Sequence, residues 1–235
     1  MHLFYAPGLK NNTHVLAEDE SRHCIKSLRL GKDNFVHLTD GRGNLFQARI
    51  VEDDPRRCVV EVEQTWHEYG KRSFSLHIAL APTKNIKRFE WFLEKVTELG
   101  IDEITPLQCF HSERKQVNRE RMNRILLAAM KQSLKTYLPY LHEMRTFADF
   151  LPSVSYDNRY MGHCENEDTP HLKRLYRPAE NALIMIGPEG DFSQQEVALA
   201  RDHGFQAVSL GQSRLRTETA GVVAAHSIHL LNEAL

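Results

Sequence analysis

Two stretches in the first third of the chain alternate apolar and polar residues. Residues 46–50 and residues 58–62 each place an apolar side chain at every second position. A period of two is typical of half-buried antiparallel strands. Residues 40–44, Asp-Gly-Arg-Gly-Asn, have the composition of a hairpin turn, and residues 19–28 fit one short helix. This part of the chain is therefore predicted to form a small β-barrel.

The pattern changes in the second part of the chain, where short apolar runs alternate with stretches of helical spacing. Residues 76–80 and 104–107 predict strands, whereas apolar side chains in residues 89–99 and 122–133 recur along one helix face. Gly100 is expected to end the first of these helices. Strands that alternate with helices over short connections favour a mainly parallel sheet with helices on both faces.

The boundary between these two regions lies in a short polar stretch. Residues 67–72 are polar and unpatterned, so we predict a β-barrel domain of residues 1–70 and an α/β domain of residues 71–235. A chain of 235 residues is long enough to bury a core in such an arrangement. The predicted fold class is α/β with a small β-barrel domain.

Two loops that contain glycine follow predicted strands in the last third of the chain. The apolar strand 182–186 continues into residues 187–192, and the strand 206–210 continues into residues 211–221. Residues 160–164 are a third predicted strand end. Ligands of open α/β sheets bind in the crevice beyond the carboxyl ends of the strands. The sequence therefore predicts that the two loops lie side by side and form one ligand site.

A predicted helix follows each of these loops. Ser193 and Glu196 form a capping box at the start of the first helix, and Gly204 ends it. The free amides and partial positive charge at its start are directed at the loop before it. The second helix, residues 217–231, is apolar enough to pack inside the domain or against a second subunit.

The composition indicates a cytoplasmic protein. No apolar run approaches the ~18 residues that cross a membrane, so no membrane partner is expected. The first eight residues lack the charged start and apolar middle of an export signal. Cys24, Cys58, Cys109 and Cys164 are widely separated and form no Cys-x-x-Cys pair, which argues against a disulfide scaffold and a cysteine zinc site. We expect all four to be buried thiols.

Positive charge is concentrated in the middle of the chain. The net charge is −1, yet residues 71–145 carry 14 Lys and Arg against 8 Asp and Glu. Phosphates are attracted by charges within about a Debye length, ~8 Å at physiological salt, so a local basic surface suffices for nucleic acid. Arg121, Arg124, Lys131 and Lys135 lie on the polar side of one predicted helix. The alternative is an ordinary solvated helix face.

Other common chemistries lack their motifs. His226 and His229 lie three residues apart on one predicted helix, but no carboxylate or third histidine at ligand spacing accompanies them, so packing is favoured and no metal site is predicted. Ser193 lacks a Gly-x-Ser-x-Gly context, and no phosphate-binding or dinucleotide-binding glycine motif is present. Phe89 and Trp91 are expected in the core rather than as stacking platforms for bases.

The loops and the motifs before them resemble a known family. Gly-Pro-Glu-Gly at residues 187–190, Leu-Gly at 210–211 and Leu-Arg-Thr-Glu-Thr-Ala at 215–220 look like the two cofactor loops of the uridine-N3 methyltransferases of small-subunit (16S) ribosomal RNA. These are the RsmE-like enzymes of the SPOUT superfamily. Thr-Glu-Leu-Gly at 97–100 and Glu-Arg at 113–114 lie in the matching order, so the resemblance covers most of the chain.

The resemblance implies a fold, a cofactor and a reaction. The fold would be a carboxy-terminal SPOUT α/β domain with a trefoil knot, preceded by a PUA-like barrel that binds RNA. The protein would be a homodimer with S-adenosyl-L-methionine near the interface. Its activity would be methylation of N3 of a specific uridine in 16S ribosomal RNA, with free ribosomal RNA or the small ribosomal subunit as the partner.

The resemblance also implies roles for individual residues. Those expected to bind the cofactor are His163, Ile186, Gly187, Pro188, Glu189, Gly190, Leu210, Gly211, Leu215, Arg216, Thr217 and Ala220. Those expected to bind RNA are Arg22, His23, Lys26, Arg29, Arg88, Arg114, Arg124, Lys131 and Lys135. For the residues of the barrel, the alternative is a solvated helix with a buried His23.

Methylation at N3 requires removal of the imide proton. We expect Glu218 or Glu189 to accept or relay this proton, and Arg216 or Arg114 to stabilise the resulting anion. The alternative is that Arg216 and Glu218 form a structural ion pair that fixes the loop.

The sequence departs from the family pattern in two places, and these changes are expected to affect contacts with the substrate more than binding of the cofactor. The usual second glycine after Gly-Pro-Glu-Gly is Asp191, and the expected acidic-Gln-Ser-Arg stretch reads Lys-Gln-Ser-Leu-Lys at residues 131–135. Two other functions stay open at this point. One is a SPOUT methyltransferase that acts on another RNA, such as transfer RNA, and the other is an RNA-binding ribosome-assembly protein without catalysis.

Overall fold

Two structural units make up the chain in the computed structural model. The first unit contains residues 1–71 and 130–138, and the second contains residues 72–129 and 139–235. The residues that the structure describes are 2–9, 12–163 and 168–233. The segment 130–138, which the sequence pattern leaves in the second domain, thus belongs to the first unit.

A five-stranded sheet forms the first unit. Its strands are β1 (Leu3–Tyr5), β2 (Thr13–Val15), β3 (Phe35–Thr39), β4 (Leu45–Asp54) and β5 (Arg57–Trp66). They lie in the order β1-β3-β4-β5-β2, and all neighbours are antiparallel except β1 and β3. The predicted turn at residues 40–44 joins β3 to β4, and Asp40 closes it by accepting hydrogen bonds from the amides of Arg42 and Asn44.

The alternating residues of β4 and β5 build the core of this unit. Ala48, Ile50, Cys58 and Val60 are all fully buried. Val59 is buried as well, so both faces of β5 are covered at this point. The apolar positions that predicted the strands therefore also face the core.

One helical segment precedes β3, close to the predicted residues 19–28. Helix α1 (Glu18–Arg22) continues directly into a π-helical turn (His23–Ser27). Ser21 ties the segment to the sheet, because its Oγ donates to the carbonyl of Leu16 at 3.0 Å and accepts from the amide of Cys58 at 2.9 Å.

The segment 130–138 lies against the turn between β3 and β4. Thr39 Oγ1 donates a hydrogen bond to the carbonyl of Thr136 at 3.2 Å. The ring of Tyr137 lies on Gly43, where a Cβ atom would come within 2.3 Å of it, and Gly43 has a φ of 94°. Only glycine satisfies both the contact and the backbone angle at this position.

A seven-stranded parallel sheet forms the second unit. Its strands are β6 (Leu76–Leu80), β7 (Glu103–Gln108), β8 (Tyr140–Leu141), β9 (Arg145–Thr146), β10 (Asn158–Gly162), β11 (Ala182–Ile186) and β12 (Gln206–Val208). The order is β12-β10-β11-β6-β7-β8, with β9 also paired to β7. Its helices are α2 (Ile86–Leu99), α3 (Arg119–Gln132), α4 (Phe147–Phe150), α5 (Leu172–Leu175), α6 (Gln194–Asp202) and α7 (Thr217–Glu233), although the last three residues of α3 belong to the first unit. The predicted parallel α/β architecture is confirmed.

Strands β6 and β11 occupy the centre of this sheet, and every residue in both is buried. Strand β10 pairs with β11 on one side and with β12 on the other, all in parallel. The carboxyl ends of β10, β11 and β12 therefore meet at one edge of the sheet, which is where such sheets place their ligands.

Local signals in the sequence determine where helices begin and end. The Asn85 side chain caps α2 by accepting a hydrogen bond from the amide of Lys87 at 3.2 Å, and Gly100 ends this helix with a φ of 103°. At α6, Ser193 and Glu196 form the predicted capping box. Gly100 and the capping box are local signals, so the end of α2 and the start of α6 were located correctly from the sequence.

Helix α7 packs on α2 within the second unit. Gly221 permits a close approach, since a Cβ atom there would lie 2.5 Å from the side chains of both Leu80 and Phe92. Ala224 and Ile228 follow on the same face and are fully buried. This packing buries one face of α7, whereas Leu230 on the same helix is 54% exposed.

Two local expectations are wrong. Helix α3 ends at Gln132, so Lys135 does not lie on it, because Leu134 adopts a φ of 56° that a right-handed helix cannot accommodate. Phe89 is fully buried as expected, but Trp91 is 42% exposed. Helical spacing alone did not show that Phe89 lies at the centre of the buried helix face and Trp91 outside it.

Three of the cysteines, Cys24, Cys58 and Cys109, are buried free thiols, as expected. The expectation for Cys164 lies outside the described residues. Among the helices of the described part of the chain, none combines the length and the apolar character needed to span a bilayer.

Candidate functional site

The loops after β11 and β12 enclose one pocket of about 440 Å³ at the carboxyl edge of the parallel sheet. Ten residues of the predicted cofactor set line it: His163, Ile186, Gly187, Pro188, Glu189, Leu210, Gly211, Leu215, Thr217 and Ala220. The central geometric expectation, that two sequence-distant loops share one pocket, therefore holds. The pocket is also lined by Gly162, Asp191, Val208, Gln212, Ser213 and Arg214. All six belong to the loops and strand ends that the sequence singled out, but only Asp191 was marked individually, as the departure from the family motif.

Two members of the predicted cofactor set lie outside the lining of the pocket. Gly190 faces the loop after β7, where a Cβ atom would come within 3.0 Å of His111 Cβ. The side chain of Arg216 is exposed, and it takes part in no ion pair among the residues that the structure describes. Its neighbours Leu215 and Thr217 both line the pocket, so Arg216 stands at the rim.

Asp191 occupies the left-handed conformation that glycine favours, with a φ of 62°. Its Oδ2 atom lies 2.9 Å from Nδ1 of His163, and its Oδ1 accepts from the amide of Phe192 at 2.8 Å. Burial raises the pKa of Asp191, but the hydrogen bonds from His163 and Phe192 outweigh it, so the net pKa is lowered. The aspartate that replaces the usual glycine thus keeps the backbone shape and adds a charged link between two walls of the pocket.

Glu189 and Arg114 contact the same short segment after β6. Glu189 Oε1 accepts a hydrogen bond from the amide of Lys84 at 3.0 Å. Arg114 donates from Nε to the carbonyl of Thr83 at 3.2 Å and from Nη2 to the carbonyl of Lys84 at 2.8 Å. Arg114 therefore holds the backbone of Thr83 and Lys84 in place. The exposed carboxylate of Glu189 faces the pocket.

Glu218 lies at the start of α7, and its side chain is only 9% exposed. Its Oε1 atom is 3.7 Å from Nε of Arg88, whose side chain is 40% exposed. Its Oε2 atom is buried and has no hydrogen-bond partner among the described residues. The alternative expectation, a structural ion pair between Arg216 and Glu218, is therefore wrong. Glu218 forms its ion pair with Arg88 instead. Sequence reasoning missed this pairing, since the two residues are 130 positions apart and share no motif.

The four candidate RNA-binding residues in and just after the helical segment before β3 are all exposed. Arg22, His23, Lys26 and Arg29 lie on α1, the π-helical turn and the residues that follow. Arg22 pairs with Glu18 one turn earlier, at 2.7 Å. The alternative of a buried His23 is wrong, and the helix presents all four side chains to solvent.

Acidic residues neutralise much of the predicted basic face of α3. Arg121 forms two hydrogen bonds to the carboxylate of Glu90, at 2.6 and 2.9 Å. Arg124 lies 4.0 Å from the carboxylate one turn before it. Lys131, in the segment that belongs to the first unit, pairs with Glu20. This face is therefore less positive than the sequence alone implies.

A second polar cluster lies at the opposite edge of the parallel sheet, near the first residues of β6 and β7. His77, Glu103 and His142 place donor atoms within 4.8 Å of one another. A hydrogen bond with His142 lowers the pKa of Glu103 to about 2, and burial lowers the pKa of His77 to about 4. Tyr156 donates to the same carboxylate at 2.9 Å. No sequence motif predicts this cluster, because its members come from three separate segments without a characteristic spacing.

Both units match known protein families. A family described as "RNA methyltransferase domain" matches residues 71–229. A family described as "RNA methyltransferase PUA domain" matches residues 16–63. The two matches fall on the parallel α/β sheet and on the antiparallel sheet, respectively.

Individual relatives agree with these matches over nearly the whole chain. A protein of Synechocystis sp. named ribosomal RNA small subunit methyltransferase E is 30% identical, over 94% of this chain and 74% of its own. The crystal structure of a probable rRNA-methyltransferase from Porphyromonas gingivalis has a TM-score of 0.92 at 38% identity, covering 100% of this chain and 99% of its own. The ribosomal RNA small subunit methyltransferase E of Neisseria gonorrhoeae, solved bound to S-adenosyl methionine, shares the fold with a TM-score of 0.84 at 24% identity, covering 98% of each chain.

Proposed function

This chain belongs to the RNA methyltransferase family that includes the ribosomal RNA small subunit methyltransferases E, and we propose that it methylates N3 of one uridine in 16S ribosomal RNA. The observation that carries the proposal is the single pocket formed by the loops after β11 and β12. The loop motifs of the sequence resemble this same family. Its members act on RNA, and the first unit carries the PUA match that accompanies this activity.

S-adenosyl-L-methionine is the methyl donor that we propose for this pocket. A volume of about 440 Å³ lies within the range of small-molecule sites, ~300–1,000 Å³. Gly187 and Gly211 let backbone amides and carbonyls approach the adenosine, while Ile186, Leu210 and Leu215 supply apolar walls. When bound, this cofactor supplies a methyl group carried on a positively charged sulfonium.

The residues around the pocket have two chemical tasks, removal of the N3 proton and stabilisation of the anion. Glu189 is the stronger candidate for proton acceptor, because its exposed carboxylate lines the pocket and a backbone hydrogen bond holds it. Glu218 is buried beside Arg88 and lies outside the lining, which suits a positioning role. Arg216, which forms no ion pair with any described residue, lies at the rim and stabilises the negative charge that spreads to the carbonyl oxygens of uracil.

The proposal has further parts that rest on the family. The exposed Arg22, His23, Lys26 and Arg29 of the first unit bind the RNA backbone. The protein is a homodimer, its second unit contains a trefoil knot, and it acts in the cytoplasm on ribosomal RNA or the small subunit. These statements follow the resemblance and the family membership.

Calorimetric titration of S-adenosyl-L-methionine tests the pocket itself. Ala220 lines it on the first turn of α7, so Ala220→Leu places three additional carbon atoms in the binding space. We expect measurable binding by the wild-type protein and an affinity at least about tenfold lower in this variant, equivalent to ~1.4 kcal/mol. His226→Leu, at an exposed position on the same helix, is the matched control and retains binding. Absence of binding by the wild-type protein opposes the proposal.

A further inference from the structure

A second cavity, also of about 440 Å³, lies beside the loop after β7. Phe147, Ala148 and Leu199 form its apolar side, and Phe110 and Lys115 stand on the loop at its edge. None of these residues belongs to the methyl-donor pocket. The cavity is open and large enough for a flat aromatic group.

Phe110 is an anchored aromatic residue with an exposed ring. Its side chain is 77% exposed, more than any other large hydrophobic residue in the described part of the chain. Its backbone is fixed, because its amide donates to Glu196 Oε1 at 2.8 Å and the amide of Cys109 donates to Ser112 Oγ at 3.0 Å. An apolar ring that a fixed backbone holds in solvent favours contact with a partner rather than with the protein's own core.

The loop that carries Phe110 also touches the methyl-donor pocket. His111 Nδ1 donates a hydrogen bond to the carbonyl of Asp191 at 3.0 Å, and Asp191 lines that pocket. Consecutive Cα atoms are about 3.8 Å apart, so Phe110 begins one residue from the pocket wall. One loop thus carries both the exposed ring of Phe110 and a contact with the wall of the methyl-donor pocket.

A basic cleft of about 420 Å³ adjoins the same loop. Lys84, Glu113, Arg114 and Lys115 line it, which gives three positive charges against one negative charge. Lys84 pairs with Glu113 at 2.9 Å. Lys115 is exposed, has no ion pair among the described residues, and lines both the cleft and the cavity. The positive charge lies next to the exposed ring, as a nucleotide requires.

We propose that Phe110 stacks on an unpaired base of the RNA substrate, next to the methylated uridine, and that Lys115 binds a phosphate of the same strand. This inference rests on the proposed function and names the part of the enzyme that reads the flanking nucleotide. Proteins recognise unpaired RNA bases by stacking them on aromatic side chains, and they bind the backbone with lysine and arginine. The cavity beside Phe110 provides space for the base that stacks on its ring.

Binding to small ribosomal subunits from cells that lack the gene tests this inference. We expect Phe110→Ala to weaken binding about tenfold and Phe110→Tyr to retain it, because stacking requires an aromatic ring. The affinity for S-adenosyl-L-methionine stays unchanged in both variants, since Phe110 does not line that pocket. Tyr140→Ala removes another exposed aromatic residue, 58% exposed at the opposite edge of the sheet, and serves as the control.

A third substitution separates RNA from a protein partner. If Phe110→Leu binds as well as Phe110→Tyr, the ring makes an apolar contact with a ribosomal protein and the stacking proposal is overturned. Unchanged binding of Phe110→Ala overturns it too.

The salt dependence of subunit binding tests the role of Lys115. Loss of one phosphate contact in Lys115→Gln lowers the steepness of log K against log salt by about 0.7. Binding is measured without methyl donor, so failure of the proposed function is seen separately, as wild-type protein that binds subunits but transfers no methyl group.

Discussion

The guanidinium of Arg88 lies 3.7 Å from the carboxylate of Glu218, measured from Nε to Oε1. This contact joins the first turn of α2 to the first turn of α7, beside the pocket that Thr217 and Ala220 line. The second oxygen of Glu218 is buried without a partner among the described residues, so the carboxylate depends on Arg88 for compensation of its charge. The pair thereby fixes the start of the helix that forms one wall of the pocket.

Arg88→Ala is expected to destabilise the protein by roughly 1–2 kcal/mol, because it leaves a buried carboxylate without a partner. The partial exposure of Arg88 keeps the effect below that of a fully buried pair. Urea unfolding of Arg88→Ala, Glu218→Gln and the double variant measures the coupling. The double variant should be more stable than the sum of the single effects predicts, and strict additivity argues against the pair.

Arg216→Ala is expected to leave stability within about 0.5 kcal/mol of wild type, since the side chain is exposed and forms no ion pair among the described residues. Methyl transfer should fall roughly 100- to 1,000-fold, as is usual when a group that stabilises a developing anion is removed. Transfer rate and cofactor affinity are measured separately. Arg177→Ala, at another exposed arginine outside the pocket, is the control. Normal transfer by Arg216→Ala removes this residue from the mechanism.

The left-handed backbone of Asp191, with a φ of 62°, should make stability depend on which residue stands at this position. Asp191→Gly loses the contact to His163 but relieves the left-handed conformation, so its stability should stay close to wild type. Asp191→Ala loses the contact and keeps the strain, so it should be less stable than Asp191→Gly by roughly 1–2 kcal/mol. Thermal and urea unfolding compare the two variants. Equal stabilities for Asp191→Ala and Asp191→Gly refute this account of the loop.

His77 gives a prediction about pH. Burial lowers its pKa to about 4, whereas a histidine in an unfolded chain has a pKa near 6.5. Between these values the unfolded chain binds a proton that the folded chain does not, so this contribution to stability is complete above pH ~6.5 and declines as pH falls toward ~4. The decline should amount to roughly 3 kcal/mol.

The variant His77→Gln isolates this effect. Glutamine retains a polar group for Thr105, which lies 2.8 Å from His77 Nε2, but it does not titrate. We expect the free energy of unfolding of this variant to depend less on pH between about 6.5 and 4 than that of wild type. The same pH dependence in both proteins shows that other groups are responsible.

Long elements with a clear period, and helix ends with local signals, were predictable from the sequence. Strand β11 is an apolar run, and Ser193 and Glu196 cap α6 through contacts three residues apart. The shared pocket was predictable as well, since parallel strands place their carboxyl ends at one edge of the sheet. The motifs of both loops then identified the family.

The remaining features depend on contacts between distant segments or on strands too short to show a period. Strands β1 and β2 have only three residues each. Helix α3 stops before Lys135 because Leu134 turns the backbone, and no glycine or proline marks that position. The pairing of Glu218 with Arg88 requires α7 to cross α2, which tertiary packing alone determines.

Transfer of a labelled methyl group tests the central claim most directly. The protein is incubated with labelled S-adenosyl-L-methionine and small ribosomal subunits from cells that lack the gene, and the modified nucleotide is then mapped. The account predicts label on N3 of one uridine in 16S ribosomal RNA. Label on transfer RNA instead, or RNA binding with no label at all, would contradict it.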